Sequence, residues 1–198
     1  MKIYGDINSG NCYKLHLACQ LLNIEHDWIH IDILKGETKT REFLALSPAG
    51  KIPLLITDQG ETLSESNAIL DYLCEGSALY PSDIWHRAKV HQWQFFEQYS
   101  HEPYIAVARF INKYLGLPEE RLEEYKSKQE GGNSALRIME TQLTHTPFLT
   151  GDSITTCDIS LFAYTHVAHE GGFDLNHYPN ILKWIDRIKS QEDFSATA

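Results

Sequence analysis

The stretch that most constrains this chain runs from Gly50 to Leu73, GKIPLLITDQGETLSESNAILDYL. A short apolar run, Ile52 to Ile56, meets a polar turn at Asp58-Gln59-Gly60. Extended character resumes at Glu61-Thr62-Leu63, and Glu65-Ser66-Asn67 then opens an amphipathic segment, so the stretch reads as a hairpin followed by a helix. Proline cannot donate to a sheet ladder, which puts Pro53 at the first position or the edge of its strand. Ile52, just before it, then presents backbone polar groups that a peptide ligand can pair with. Glu65 and Ser66 stand where the helix begins, and there the unpaired N–H groups and the positive end of the dipole suit an anion such as a carboxylate.

With 198 residues, 42% of them hydrophobic, the chain has room for one large or two small packed domains. Its 17 basic and 27 acidic residues leave a formal charge of −10 without a lysine- or arginine-dense stripe. That balance argues against nucleic acid or an anionic membrane as the main partner and favours a small-molecule ligand. The opening Met1-Lys2-Ile3-Tyr4-Gly5-Asp6 lacks the apolar run of a signal peptide, and no later segment reaches the roughly 18 apolar residues of a membrane span, so a cytoplasmic location is expected. Cys12, Cys19, Cys74 and Cys157 show no CxxC spacing and lie inside periodic segments, the pattern of reduced, buried thiols rather than of a disulfide framework or zinc site. Ten histidines without HExxH spacing give no metal site either.

In chain order, Lys2 to Gly5 is a short strand and Asp6 to Asn11 a run of turn formers. From Cys12, residues Leu15, Ala18, Cys19 and Leu22 recur at helical spacing with Asn11 as a cap, and Glu25 to Ile33 turns extended. Thr38 or Thr40 can cap a short helix over Glu42 to Leu46, ended by Ser47-Pro48-Ala49-Gly50. With the hairpin and its helix, the order is βαβαββα over residues 1–76. Residues 77–84 form a turn-rich linker, and from 85 to 198 every strong pattern is helical. Residues 84–114 read as one long helix bent at Pro103, and a second helix starts after Pro118, with Gly131-Gly132 as a candidate interruption. Thr155 and Asp158 have capping-box spacing ahead of Ile159, Phe162 and Ala163, and a last helix begins near Pro179.

Taken together, Gly50-Lys51-Ile52-Pro53-Leu54-Leu55 followed by Leu63-Ser64-Glu65-Ser66-Asn67-Ala68-Ile69 resembles the glutathione-binding half of the cytosolic glutathione transferases, of the bacterial, serine and theta-like type. The resemblance is strong over the first 76 residues and rests on helical layout after that. It implies a thioredoxin-like N-terminal α/β domain and an all-α C-terminal domain, with Thr155 and Asp158 capping a central helix in a folding role. The proline would be cis, Ile52 would pair by its backbone with the cysteinyl unit of glutathione, and Glu65 and Ser66 would hold the γ-glutamyl end. Thr38 and Lys39 lie where theta-like relatives reach the glycine carboxylate, and Lys51 precedes the Ile-Pro pair; both lysines also fit solvated surface charges. The family is usually dimeric, which implies a homodimer through the helices starting near Ser66 and Ile84.

The thiol of free glutathione, with pKa ~8.5, is only a few per cent ionised at neutral pH, while the thiolate is the nucleophile. A donor in the loop Ile7 to Lys14 can lower that pKa. Ser9 matches the acting hydroxyl of serine-type members, three residues before a frequent cysteine. Asn11 can donate through its amide, as in some relatives, and Cys12 stands where bacterial members of another class form a mixed disulfide with glutathione. Tyr4 lies earlier than the loop tyrosine of other classes. The electrophile pocket implied by the family would draw on the helix around Tyr104 and on Arg109 and Phe110, close to His101 and Glu102. Three functions follow as expectations: conjugation of glutathione to small electrophiles in detoxification, disulfide or peroxide reduction through Cys12, and a non-catalytic binding module.

Overall fold

Four short strands form a mixed sheet: β1 (Lys2–Gly5), β2 (Asp27–His30), β3 (Leu54–Ile56) and β4 (Thr62–Ser64), in the spatial order β2-β1-β3-β4. The computed structural model describes residues 1–191; residues 192–198, the end of the expected helical domain, lie outside the described residues. β1 runs parallel to β2 and antiparallel to β3, and β3 pairs antiparallel with β4. The helices of this unit are α1 (Gly10–Leu21), α2 (Arg41–Leu46) and α3 (Ser66–Cys74), which gives the expected βαβαββα order. Parallel pairing of β1 and β2 needs a crossover, and α1 supplies it.

Tyr4 of β1 meets Phe43 of α2 edge-on at 6.4 Å between ring centroids, so alternation sends Ile3 to the opposite face, and Ile3 is fully buried. Leu15, Leu17, Leu54, Leu55, Ile69 and Leu70 complete this core, each worth roughly 1.5–3 kcal/mol of burial. Of the two candidate caps for α2, Thr40 does the work: its hydroxyl accepts from the Phe43 amide at 3.3 Å.

The chain divides into two compact units, Met1–Tyr80 and Pro81–Gln191 among the described residues. The second unit is helical throughout: α4 (Ile84–Phe96), α5 (Glu102–Arg109), α6 (Leu122–Gln142), α7 (Thr156–Thr165) and α8 (Pro179–Lys189). Asp83 caps α4 by accepting from the His86 amide at 3.0 Å. The expected bend at Pro103 takes the form of a π-helical turn at Glu97–His101 between α4 and α5. Pro103 has no N–H for the carbonyl one turn back, and widening the preceding turn accommodates that loss.

Gly131-Gly132 does not interrupt its helix; α6 passes straight through both. A Cβ at Gly131 would lie 2.2 Å from the Tyr104 ring and one at Gly132 would lie 2.3 Å from the Phe173 ring, so the pair is a seat for two aromatic rings. At the far end of α6, the Glu140 carboxylate accepts from the amides of Asn180 and Ile181 at 3.0–3.1 Å, an acid placed at the positive start of α8.

Every residue of α7 is buried, and its capping box organises the unit. Asp158, fully buried, accepts from the Thr155 amide, the Leu149 amide and the Trp184 indole N–H, each at 2.9 Å. One carboxylate therefore ties the turn before α7 to α8. Replacing it by alanine strands three buried donors. Asp158→Ala should cost about 3–5 kcal/mol of stability, read as a lower urea midpoint of the helical circular-dichroism signal. A loss below about 1 kcal/mol would show that these bonds are not what holds α7 and α8 together.

Candidate functional site

The register of the hairpin decides which residues meet. Leu54 pairs with Ser64, so one step further along the two strands Pro53 comes beside Glu65; Tyr4 pairs with Leu54, which brings the end of β1 to the same edge. The loop after β1, the segment before β3 and the start of α3 thus gather at one end of the sheet. The Ile52-Pro53 peptide bond is cis. Pro53 is buried and Ile52 half-buried, and neither the N–H nor the C=O of Ile52 has a hydrogen-bond partner among the described residues.

Glu65 precedes α3 with φ 70° and ψ 112°, a left-handed setting for a residue that bears a Cβ. Such strain is of order 1–3 kcal/mol and is found where the surroundings hold a residue for a purpose. Its side chain is exposed, whereas Ser66 is only 6% exposed. The Ser66 hydroxyl donates to Asn11 Oδ1 at 3.1 Å, which joins the start of α3 to the start of α1.

In the loop before α1, Ser9 is the N-cap residue; its carbonyl accepts from the amides of Cys12 and Tyr13 at 3.0 and 2.8 Å, and its side chain takes no part in capping. Ser9 and Asn11 are both half-buried. Cys12 is fully buried. Burial pushes its thiol up to about 11, and hydrogen bonding with the Asp6 backbone and the Ser9 side chain only partly offsets that. At neutral pH Cys12 is a protonated thiol, the opposite of what an attacking cysteine needs. The other three cysteines are buried and form no disulfide.

Thr38 and Lys39 lie in a 3-10 helical turn, Glu37–Lys39, and Lys51 in the segment before β3. The Lys39 ammonium donates to the Gly50 carbonyl at 3.0 Å, and Gly50 sits at φ 58° with space for no Cβ, since one would lie 2.8 Å from Lys39 Nζ and 3.0 Å from the Thr38 carbonyl. Thr38 is buried, while Lys39 and Lys51 are exposed.

Sequence reasoning passed over Lys14. It lies on α1 with no exposed surface, donating to Ser66 Oγ at 3.1 Å and to Asn67 Oδ1 at 3.4 Å. A signal existed: Lys14 falls one turn after Gly10 and one turn before Ala18, in a helix whose neighbouring positions are core, and a lysine there needs polar partners inside the protein.

The three residues named for the electrophile all belong to the helical unit. Tyr104 lies against Gly131 of α6, and Lys128 sits over its ring. Phe110 stacks on Tyr114. Arg109 is buried and forms an ion pair with Glu170, which Lys113 also engages. Burial works against the Glu170 charge, but hydrogen bonds from Lys113 and Arg109 outweigh it and hold this carboxyl below its ordinary value. Arg109 is thus engaged in fastening α5 to the turn at Ala168–Gly171. His101 and Glu97 are buried in the same unit, with His101 Nε2 bonded to Thr165 Oγ1 at 2.9 Å.

Among the described residues, no group of histidine, cysteine or acidic side chains could hold a metal ion, and no helix is long and apolar enough to cross a membrane. Two family models match the chain: the glutathione S-transferase N-terminal domain over residues 8–75 and the glutathione S-transferase C-terminal domain over residues 93–192. The crystal structure of a glutathione S-transferase from Pseudomonas fluorescens Pf-5 is 54% identical, with a TM-score of 0.97 over 98% of this chain and 97% of that one. The disulfide-bond oxidoreductase YfcG of Escherichia coli K12 is 28% identical over 91% of this chain and 86% of its own length. A maleylacetoacetate isomerase from Methylobacterium extorquens AM1, solved with bound malonate and GSH, is 26% identical with a TM-score of 0.81 over 98% of this chain and 94% of that one. Two domain families matched in order, on the sheet topology and helical unit described above, establish that this chain belongs to the glutathione S-transferase family.

Proposed function

We propose that the protein binds glutathione at the edge formed by Ile52, Pro53, Glu65 and Ser66 and conjugates its thiolate to small electrophiles. The observation that carries this reading is the unpaired Ile52 backbone lying beside the strained start of α3, an arrangement that suits an extended peptide with a carboxylate at one end. Ile52 pairs with the cysteinyl unit, Glu65 takes the ammonium and Ser66 the carboxylate of the γ-glutamyl end. Lys39, Thr38 and Lys51 serve the glycine carboxylate, which draws on the lysines at short range.

Ser9 donates to the sulfur and so favours the thiolate. Cys12, protonated, can donate its S–H to Ser9 Oγ, which leaves the single hydroxyl proton of Ser9 for the bound sulfur. Asn11 is the second candidate for that donor. Tyr104 and Phe110 contribute apolar surface to the electrophile pocket, with Arg109 holding that helix in place. No metal enters this chemistry, and four buried cysteines outside any disulfide fit a reducing, cytoplasmic setting.

A second reading, disulfide reduction, is favoured by the likeness to YfcG. The burial of Cys12 directs that reading away from a protein thiol: bound glutathione thiolate would attack the disulfide, forming one mixed disulfide and releasing one thiolate.

Ser9→Ala separates these roles. It should return the bound thiol towards the free value of ~8.5, read from ultraviolet absorbance of the thiolate, and lower kcat/KM for a model electrophile about a hundredfold, while the affinity for glutathione holds. Cys12→Ala should be far milder. A Cys12–glutathione adduct in mass spectrometry after treatment with oxidised glutathione, with activity lost in Cys12→Ala, would overturn the assignment of Ser9.

The protein is further proposed to be a homodimer. Tyr72 on α3 is 53% exposed, and Ile84, Trp85 and Phe95 on α4, with Tyr99 in the following turn, are 64–87% exposed. Apolar groups this open are what a symmetric interface would cover. Light scattering at micromolar concentration should give twice the chain mass of 22.7 kDa. A monomer would contradict the dimer and leave the glutathione site standing.

A further inference from the structure

Ser66 has one proton and two lone pairs, whereas a lysine ammonium can only donate. Because Lys14 Nζ donates to Ser66 Oγ at 3.1 Å, that oxygen is an acceptor on its buried side, and its single proton is directed elsewhere. The proton goes to Asn11 Oδ1, also at 3.1 Å. A carboxylate is acceptor-only, so it can bind this hydroxyl only as the receiver of the same proton.

We propose that Lys14 is a positioning residue for glutathione: it keeps Ser66 an outward donor, and the γ-glutamyl carboxylate takes over from Asn11 the proton of that hydroxyl. The inference rests on the proposed glutathione site. It adds a reason for a lysine with no exposed surface on α1, and it makes Asn11 a placeholder that ligand binding releases at the start of α1. Asn67, the second acceptor for Lys14, fixes the ammonium against the first turn of α3. Donor-only chemistry is the property that matters, so arginine can replace Lys14 where methionine, of similar length and without a donor, cannot.

The test compares two ligands by calorimetry: glutathione, and γ-aminobutyryl-cysteinylglycine, which keeps the ammonium and thiol and lacks only the α-carboxylate. Wild type should bind the second about tenfold more weakly or worse. Lys14→Met should lose about tenfold for glutathione and little for the analogue, and Lys14→Arg should restore the difference. Thermal melts check that each variant is folded; Lys14→Leu, which likewise has no donor, stands in if Lys14→Met is not. Equal losses for both ligands would mark Lys14 as merely structural and overturn the proposal. So would wild type binding the two ligands equally, a reading that needs no variant. Wild type that binds neither ligand at millimolar concentration would instead overturn the glutathione site itself, and Lys14's role with it.

Discussion

Three residue pairs between β1 and β3, Lys2 with Ile56, Ile3 with Leu55 and Tyr4 with Leu54, hold the N-terminal unit in its working shape. Because side chains alternate along a strand, a slip of one residue would turn Leu54 and Leu55 over and carry Pro53 away from Glu65. The correct register places the loop after β1, the cis Ile52-Pro53 bond and the first turn of α3 at one edge. The packing of Ile3, Leu55 and Ile69 therefore stands behind the geometry of the site, although none of them is a site residue. A rigid sheet also explains how Glu65 can be kept at positive φ: the strand before it and the helix after it both end there, and neither yields.

The helical unit depends in the same way on buried polar groups. Asp158 gathers three N–H donors between the turn before α7 and the indole of α8, and the polar side chains of Gln94 and His101 tie the α4 side to Thr156 and Thr165 of α7. α7 is buried on every side, so no amphipathic stripe can orient it, and directional bonds do so instead.

Much of the fold is legible in the amino-acid sequence because local signals agree. The hairpin and its helix are punctuated by Pro53, Asp58-Gln59-Gly60 and Ser66, and Thr155 with Asp158 announces α7. Signals that depend on a partner in space are not legible. Gly131-Gly132 looks like a break until the rings of Tyr104 and Phe173 are seen lying on it, and Arg109 looks available until Glu170, far along the chain, engages it. Cys12 has the position of a reactive thiol, and its surroundings make it a protonated, buried one. Lys14 is the clearest case. Its place between core positions says that it needs polar partners inside the protein, but nothing in α1 alone reveals that Ser66 and Asn67 are the ones that accept from it.

The central claim is that glutathione lies along Ile52 and ends at Ser66. Backbone amide NMR of the wild-type protein during a glutathione titration tests it most directly. The account predicts saturable shifts concentrated at Ile52, at Ser66 and Asn67, and at Asn11. Shifts absent from these residues at millimolar glutathione, or confined to the helical unit, would contradict it.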